Sequence, residues 1–227
     1  MLDLLITSFE RHVSLPVRVS GSESSHQFSL EEIRDLVRRH LARISTEFIF
    51  GRYTSVHCII ERFFKTHNPV TISDLTCPNG HAVDRQRSPT CSCEIIVFAQ
   101  SGTSLQYCMD NFTESTASKC LTCDTFLLRT TSFVQTPPVI IFDLGSCVPS
   151  LSSVLWIPCG ETGRVHYNLR GLVYYKDQHF TSRFVTETGM IWFHDGMLTG
   201  SSLIYDGQDI DSITTENAVM AFYTLGV

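Results

Sequence analysis

The sequence predicts an α+β fold in which two helices precede a run of strands. Residues 29–65 carry apolar side chains at the three- and four-residue spacing of a buried helical face. From Val70 onward the chain is instead rich in β-branched and aromatic segments that end at Gly, Pro or polar clusters. Helices that precede the strands, rather than alternating with them, are typical of α+β proteins. The hydrophobic content of 43% and charged content of 18% over 227 residues indicate a packed globular chain.

The first helix is predicted to begin at Ser29, after the polar loop SGSESSHQ. In the stretch SLEE, the Ser29 hydroxyl can accept the N–H of Glu32 while the Glu32 side chain reaches back, which is a capping box. The apolar face predicted for this helix comprises Leu30, Ile33, Leu36, Val37, His40, Leu41 and Ile44.

A second helix is predicted from Thr54 to Lys65, before the stop signal Asn68-Pro69, and a short third helix over residues 104–112. The strands follow from runs of β-branched and aromatic residues. The predicted strands are EIIVFA (94–99), FLLRTTSFV (126–134), PVIIFDL (138–144), VHYNLRGLVYY (165–175), FTSRFVTE (180–187) and MIWFHD (190–195).

The bulk composition excludes several classes of function. A net charge of −6 disfavours binding to a phosphate backbone, so no nucleic-acid partner is expected. No apolar run reaches the ~18 residues of a membrane helix, so no membrane association is expected either. The N-terminal stretch MLDLLITSFERH lacks the basic start of a secretory signal, which predicts an intracellular protein of the cytoplasm or nucleus. There, nine cysteines indicate metal binding or thiol chemistry rather than disulfides.

Two short cysteine-bearing turns predict a structural zinc site. The stretch CPNGH offers Cys77 and His81 with turn-forming residues between them, and CLTC offers Cys120 and Cys123 at C-x-x-C spacing. Structural zinc takes four sulfur or nitrogen ligands, usually as two close pairs on two turns. No acidic residue lies among the four to act as a base, so the predicted zinc is structural rather than catalytic.

Two alternatives to this ligand set stay open. The stretch CSC places Cys91 and Cys93 two residues apart, so on a strand both would point to one face and could replace one of the proposed pairs. The cysteines could also be buried free thiols, since cysteine often serves as a small apolar core residue.

Several stretches resemble, in the same order, segments of the ubiquitin-specific proteases. FIFGRYTSVHCIIERFF (48–64) resembles their second helical box, and the two cysteine turns resemble their zinc-binding fingers, with SLQYCMDNF (104–112) between them. LLRTTSFVQTPPVIIFDL (127–144) resembles a strand pair of the family, and YNLRGLVYYKDQHF (167–180) resembles the segment that leads to Gly-His-Tyr. IWFHD (191–195) resembles a Trp-x-x-Phe-Asp/Asn-Asp segment, and AVMAFYTL (218–225) resembles the closing strand.

The resemblance implies a papain-like cysteine protease fold of the ubiquitin-specific protease type over one domain, 1–227. Its implied regions are a partial thumb over 1–66, zinc-binding fingers over 67–135 and a palm over 136–227. The implied activity is thiol-dependent cleavage of ubiquitin from proteins, so ubiquitin or a ubiquitinated protein is the expected partner.

By the resemblance, His179 matches the general base of the family, and the residue that orients it lies at His194 or Asp195. A base of this kind takes the proton of a thiol and stabilises the thiolate as an ion pair. Asp195 is the favoured partner, because a carboxylate orients an imidazole better than a second imidazole does. Without the resemblance, His179 would be read as an ordinary strand residue and Asp195-Gly196 as a turn signal.

The chain departs from the family at the nucleophile. Nothing resembles the family's N-terminal box with its catalytic cysteine, and the first cysteine, Cys58, falls in the second helical box, where a structural role is predicted. Ser55 and Cys58 also replace family acids, and Gln178 replaces the Gly before the histidine. Either an upstream segment supplies the missing cysteine or the chain is an inactive relative.

Three functions follow. The first is a ubiquitin carboxyl-terminal hydrolase-like domain, a hydrolase of the thiol protease family, that is inactive as printed because it lacks the nucleophile. The second is a non-catalytic, zinc-stabilised module that binds ubiquitin or another protein. The third is an unrelated zinc-stabilised, β-rich interaction protein.

Overall fold

The computed structural model of the chain describes residues 30–49, 56–64, 66–83, 87–96, 102–145, 149–159, 163–200 and 202–226. The chain divides into two compact units, residues 1–63 and residues 64–227. The division into thumb, fingers and palm stays a prediction.

The described part of the first unit consists of two helices, α1 (Leu30–Ile44) and α2 (Val56–Phe63), which confirms both predicted helices. The predicted cap at Ser29 lies outside the described residues. The predicted apolar face of α1 is only partly buried: Leu41 is buried, whereas Leu36 and Ile44 are 39% and 37% exposed. At 100° per residue, Leu36 lies about 140° around the helix from Leu41, so one face cannot cover both.

The described part of the second unit is mostly β-sheet, with one short α-helix, α3 (Leu105–Asp110), and one 3₁₀ turn (Ile210–Ser212). Its strands are β1 (Thr71–Thr76), β2 (Ser88–Thr90), β3 (Glu94–Ile96), β4 (Thr113–Lys119), β5 (Phe126–Phe133), β6 (Val139–Asp143), β7 (Val154–Cys159), β8 (Gly163–Lys176), β9 (His179–Val185), β10 (Ile191–His194), β11 (Ile204–Gly207) and β12 (Ala218–Leu225).

These strands form one 12-stranded sheet with the order β11-β10-β9-β8-β7-β5-β1-β2. Off this path, β12 pairs with β8 and β6, β3 pairs with β6, and β4 pairs with β5. The 14-residue strand β8 pairs with three other strands. Its first half pairs with β7, its second half with β9, and its middle, residues 167–174, with β12.

The main hydrophobic core lies against this sheet and includes two buried residues of α3, Leu105 and Met109. Two of its largest buried side chains are tyrosines, and each has a partner for its hydroxyl: Tyr167 donates to the carbonyl of Pro137 and Tyr223 to that of Ser152. The core thus buries aromatic area without leaving these polar ends unsatisfied.

The six strands predicted from runs of β-branched and aromatic residues are all present, with somewhat different ends, and the short helix and the closing strand are confirmed. Five strands were not predicted, namely β1, β2, β4, β7 and β11. In the described residues, no helix is long and apolar enough to cross a lipid bilayer.

Candidate functional site

His179 begins strand β9 directly after a two-residue hairpin turn. Asp177 and Gln178 form this turn with φ of 51° and 63°, and His179 pairs with Lys176 across it. Positive φ at both central residues is the signature of a type I′ turn, the tight connection that matches the twist of two antiparallel strands. The turn therefore determines where the His179 ring leaves the sheet.

Asp195 follows β10 at the same end of the sheet. Strands β9 and β10 pair antiparallel with His194 opposite Ser182, so the position after His194 comes level with Thr181, two residues from His179. The Asp195 carboxylate accepts the backbone N–H groups of Met197 (2.9 Å) and Leu198 (3.1 Å), which close a turn immediately after the strand.

The two side chains meet in a hydrogen bond of 2.8 Å between His179 Nε2 and Asp195 Oδ1. The Asp195 side chain is 7% exposed, whereas that of His179 is 31% exposed. An ionised carboxylate only accepts, so Nε2 carries the proton and the neutral ring keeps a free lone pair on Nδ1. An imidazole held in this way can accept a proton at Nδ1 while the carboxylate stabilises the resulting cation.

The pKa of Asp195 lies below its ordinary value. Burial by itself raises the pKa of this carboxyl, but the hydrogen bond from His179 and the N–H groups of Leu198 and Met197 outweigh burial. Asp195 is therefore a buried carboxylate that stays ionised at neutral pH.

His194 lies beside this turn and contacts other groups. Its Nδ1 is 3.2 Å from the carbonyl oxygen of Ser202 and 3.3 Å from the hydroxyl of Thr199. Of the two residues predicted to orient His179, Asp195 contacts the His179 ring, whereas His194 contacts the turn that follows β10.

The four predicted zinc ligands form a second cluster. Cys77 and His81 follow β1, Cys120 and Cys123 lie between β4 and β5, and all four ligand atoms lie within 4.8 Å of one another. The separations are 3.6 Å from Cys77 Sγ to both His81 Nδ1 and Cys123 Sγ, and 3.8 Å from Cys120 Sγ to His81 Nδ1. This cluster of three thiols and one imidazole could hold a metal ion.

The surroundings favour thiolates in this cluster. A hydrogen bond from the Thr125 hydroxyl, 2.9 Å from Cys123 Sγ, is the main reason that the pKa of Cys123 falls to about 5. Asn79 Nδ2 adds a second donor at 3.4 Å. The pKa of Cys77 is also lowered, since hydrogen bonds from Asn79 and His81 outweigh the effect of burial. A thiolate is the form of cysteine that binds metals.

The other cysteines considered from the sequence lie elsewhere. Cys93 is buried in the main core, and burial raises the pKa of its thiol to about 11. Cys91 is half-buried and its carbonyl accepts the N–H of Thr66. In the described residues neither joins the metal cluster, so the alternative pair CSC receives no support. Cys58 is half-buried on α2.

The sequence analysis missed the residues that support both clusters. Thr199 bonds the backbone of Asp195, and Thr125 and Asn79 donate to Cys123. Each of these residues had a weak signal in the sequence. Thr199 lies four residues after Asp195, which follows a strand, and Asn79 and Thr125 each lie two positions after a cysteine. Such hydroxyl and amide side chains commonly bond backbone groups within turns.

Comparisons with known proteins give a likeness of fold. No protein-family model and no curated protein sequence matches the chain. A chain of the SAGA DUB module Ubp8/Sgf11/Sus1/Sgf73 bound to monoubiquitin matches it with a TM-score of 0.52 and 15% identity, over 88% of this chain and 49% of that chain. The same module bound to ubiquitin aldehyde matches with a TM-score of 0.52 and 14% identity, over 88% and 50%.

A yeast SAGA DUB module with a mutated Sgf73 matches with a TM-score of 0.53 and 14% identity, over 87% of this chain and 50% of that chain. The chain therefore spans about half the length of the solved chains it resembles. At this identity, the matches show a shared fold and no more.

Proposed function

We propose that the chain is a ubiquitin carboxyl-terminal hydrolase-like domain of the ubiquitin-specific protease type, in which His179 is the general base and Asp195 orients it. The observation that carries this proposal is the 2.8 Å hydrogen bond between His179 Nε2 and Asp195 Oδ1. The two residues are 16 positions apart; the resemblance gives His179 as the base and His194 or Asp195 as the residue that orients it. The likeness of fold to DUB module structures supports the same assignment.

In the complete reaction, Nδ1 of His179 would take the proton of a cysteine thiol, and the thiolate would attack the carbonyl at the end of ubiquitin. Asp195 would keep the proton on Nε2 and stabilise the imidazolium. The printed sequence has no cysteine before Cys58, and Cys58 lies in the helix that resembles the second box rather than the nucleophile box. We therefore expect the printed chain to bind ubiquitin without cleaving it.

The metal cluster supports zinc-bound fingers. With about 2.3 Å to sulfur and about 2.0 Å to nitrogen, a tetrahedral zinc ion places two sulfur ligands about 3.8 Å apart and sulfur and nitrogen about 3.5 Å apart. The observed separations, 3.6 Å between Cys77 and Cys123 and 3.6 Å and 3.8 Å from sulfur to His81, fit this tetrahedron. Zinc there would be structural, because all four positions are filled by protein. Thiolate ligands also favour a reducing, intracellular setting.

Ubiquitin is the proposed partner. Two of the matched structures contain monoubiquitin or ubiquitin aldehyde, and the matched region covers most of this chain. A non-catalytic module for ubiquitin or another protein is the alternative, and the same binding experiment bears on both.

A titration of ¹⁵N-labelled ubiquitin with the unlabelled protein tests binding by NMR. We expect shift changes that include the C-terminal tail of ubiquitin, because the proposed reaction would bring the end of ubiquitin to His179. Ubiquitin that lacks its last residues is the matched control, and it should bind more weakly. No shift changes at millimolar protein would refute ubiquitin binding. Equal binding of the shortened ubiquitin would refute a contact between the ubiquitin tail and His179.

A further inference from the structure

The turn after β10 is closed by one threonine side chain. The Thr199 hydroxyl donates to the carbonyl of Asp195 at 2.8 Å. The same hydroxyl oxygen accepts the backbone N–H of Asp195, with 3.3 Å between the nitrogen and Oγ1. The backbone N–H of Thr199 also donates to the Asp195 carbonyl, at 2.7 Å. Thr199 thus binds both backbone polar groups of the residue whose carboxylate holds His179.

His194 holds the Thr199 hydroxyl in turn. Its Nδ1 is 3.2 Å from the carbonyl of Ser202 and 3.3 Å from Thr199 Oγ1. The carbonyl only accepts, and the hydroxyl already donates its hydrogen to Asp195, so Nδ1 must carry a proton that the two oxygens share. Because it accepts from His194, the Thr199 hydroxyl can donate its hydrogen only to the Asp195 carbonyl.

The hydrogen bonds form a chain from His194 through Thr199 and Asp195 to His179. The Asp195 carboxylate is almost completely buried and also accepts the N–H groups of Met197 and Leu198, so its direction follows the geometry of this turn. Groups behind a charged side chain commonly set its orientation in this way.

Given the proposed function, in which His179 is the base, we propose that Thr199 and His194 are positioning residues that hold the Asp195 carboxylate against the His179 ring. This role also gives a use to the histidine next to Asp195, where the resembling segment has Asp or Asn. The imidazole at position 194 serves as a donor to the turn, which an ionised aspartate could not be.

The test follows the exchange with water of the His179 Nε2 proton, by NMR of protein labelled with ¹⁵N-histidine at neutral pH. In the wild type, this proton should exchange slowly. Thr199→Val keeps the shape of the side chain and removes its hydroxyl, so exchange should accelerate at least about fivefold, the factor equivalent to one lost hydrogen bond. Thr199→Ser should restore slow exchange.

A second variant and a matched control separate positioning from general stability. His194→Phe keeps an aromatic ring but lacks the Nδ1 donor, so it should also accelerate exchange of the His179 proton. This variant alone tests the proposal if Thr199→Val does not fold. Thr186 supplies the control. Its hydroxyl accepts the N–H of Met190 at 3.0 Å in the turn that joins β9 to β10, at the opposite end of these strands from His179 and Asp195. Thr186→Val should leave the His179 proton unchanged.

Three outcomes overturn the proposal: a His179 ring proton that exchanges freely in the wild type, exchange that is unchanged in both Thr199→Val and His194→Phe, or equal acceleration in Thr186→Val. None of these measurements involves ubiquitin. Their failure would therefore leave the proposed ubiquitin binding standing, and a failed ubiquitin titration would leave the hydrogen-bond chain standing.

Discussion

At the scale of single residues, the candidate site depends on backbone conformations that few side chains adopt readily. Gln178 has φ of 63°, in the left-handed region that Gly enters freely but that L-residues other than Asn and Asp seldom occupy. It is also the position at which the resembling family has Gly. The turn nevertheless forms, because the strands on either side, β8 and β9, pair over six residues.

Replacing Gln178 by Gly should stabilise the protein. The left-handed conformation costs an L-residue roughly 1–2 kcal/mol, part of which is offset by the greater freedom of Gly in the unfolded chain. We expect a net gain of about 0.5–1 kcal/mol, or roughly 1–4 °C in Tm, measured by a thermal melt.

Gln178→Asn and Gln178→Ala are the graded controls for this change. Asn tolerates the left-handed region and should fall between Gly and Gln, whereas Ala should resemble Gln. If Ala stabilised the protein as much as Gly, the positive φ would not be the cause.

At the scale of secondary-structure elements, the metal cluster joins strands that have little core of their own. Among the described residues, the hydrophobic cluster around it has three buried members, Cys77, Cys120 and Leu127, and two of these are proposed ligands. A core of this size cannot offset the entropy of ordering β1, β4 and β5. Metal binding would supply the missing free energy, because a preformed site does not exist in the unfolded chain.

Removal of the metal should therefore loosen the strands around the cluster first. We expect about one zinc ion per chain by elemental analysis, and a chelator should reduce the hydrogen-exchange protection of β1, β4 and β5 at least about tenfold. Strands β8 and β12 should keep their protection, because they pack on the main core.

Cys120→Ser should lose the zinc ion, while Cys91→Ser, which alters a cysteine outside the cluster, should retain it. Full metal content in Cys120→Ser would show that these four residues are not the ligands.

At the scale of the whole molecule, one sheet carries both clusters. The His179–Asp195 pair lies at the ends of β9 and β10, the metal cluster lies beyond the ends of β1 and β5, and the strand order joins them through β8 and β7. Both clusters thus belong to the unit of residues 64–227 and to one hydrogen-bonded framework.

The printed chain should show no peptidase activity. The covalent route needs a thiolate beside His179, and without the nucleophile this route is lost. Incubation of the pure protein with a ubiquitin–fluorophore substrate should release no fluorophore above the blank. Release that disappears in His179→Ala would overturn this expectation, and release that persists in that variant would indicate a contaminating enzyme.

The sequence by itself determined the features that depend on local pattern. The helices α1 and α2 follow from three- and four-residue periodicity, and β6 and β8 follow from β-branched and aromatic runs that bury at least one face. Strand β12 follows from the resemblance of AVMAFYTL to a closing strand. Both cysteine turns were also visible, because ligand spacing within a turn is a local property. The strands β1 and β4 were missed because TISDLT and TESTASK are polar, and pairing with β5 rather than intrinsic preference makes them strands.

Only the tertiary structure decided which distant residues meet. It brought Cys77 within 3.6 Å of Cys123, 46 residues away, excluded Cys91 and Cys93 from that cluster, and placed Asp195 rather than His194 against His179. It also assigned Thr199 to the backbone of Asp195. The physical reason is that such contacts depend on strand register and on turn geometry, and a shift of one residue in either would aim each of these side chains at the opposite face of the sheet.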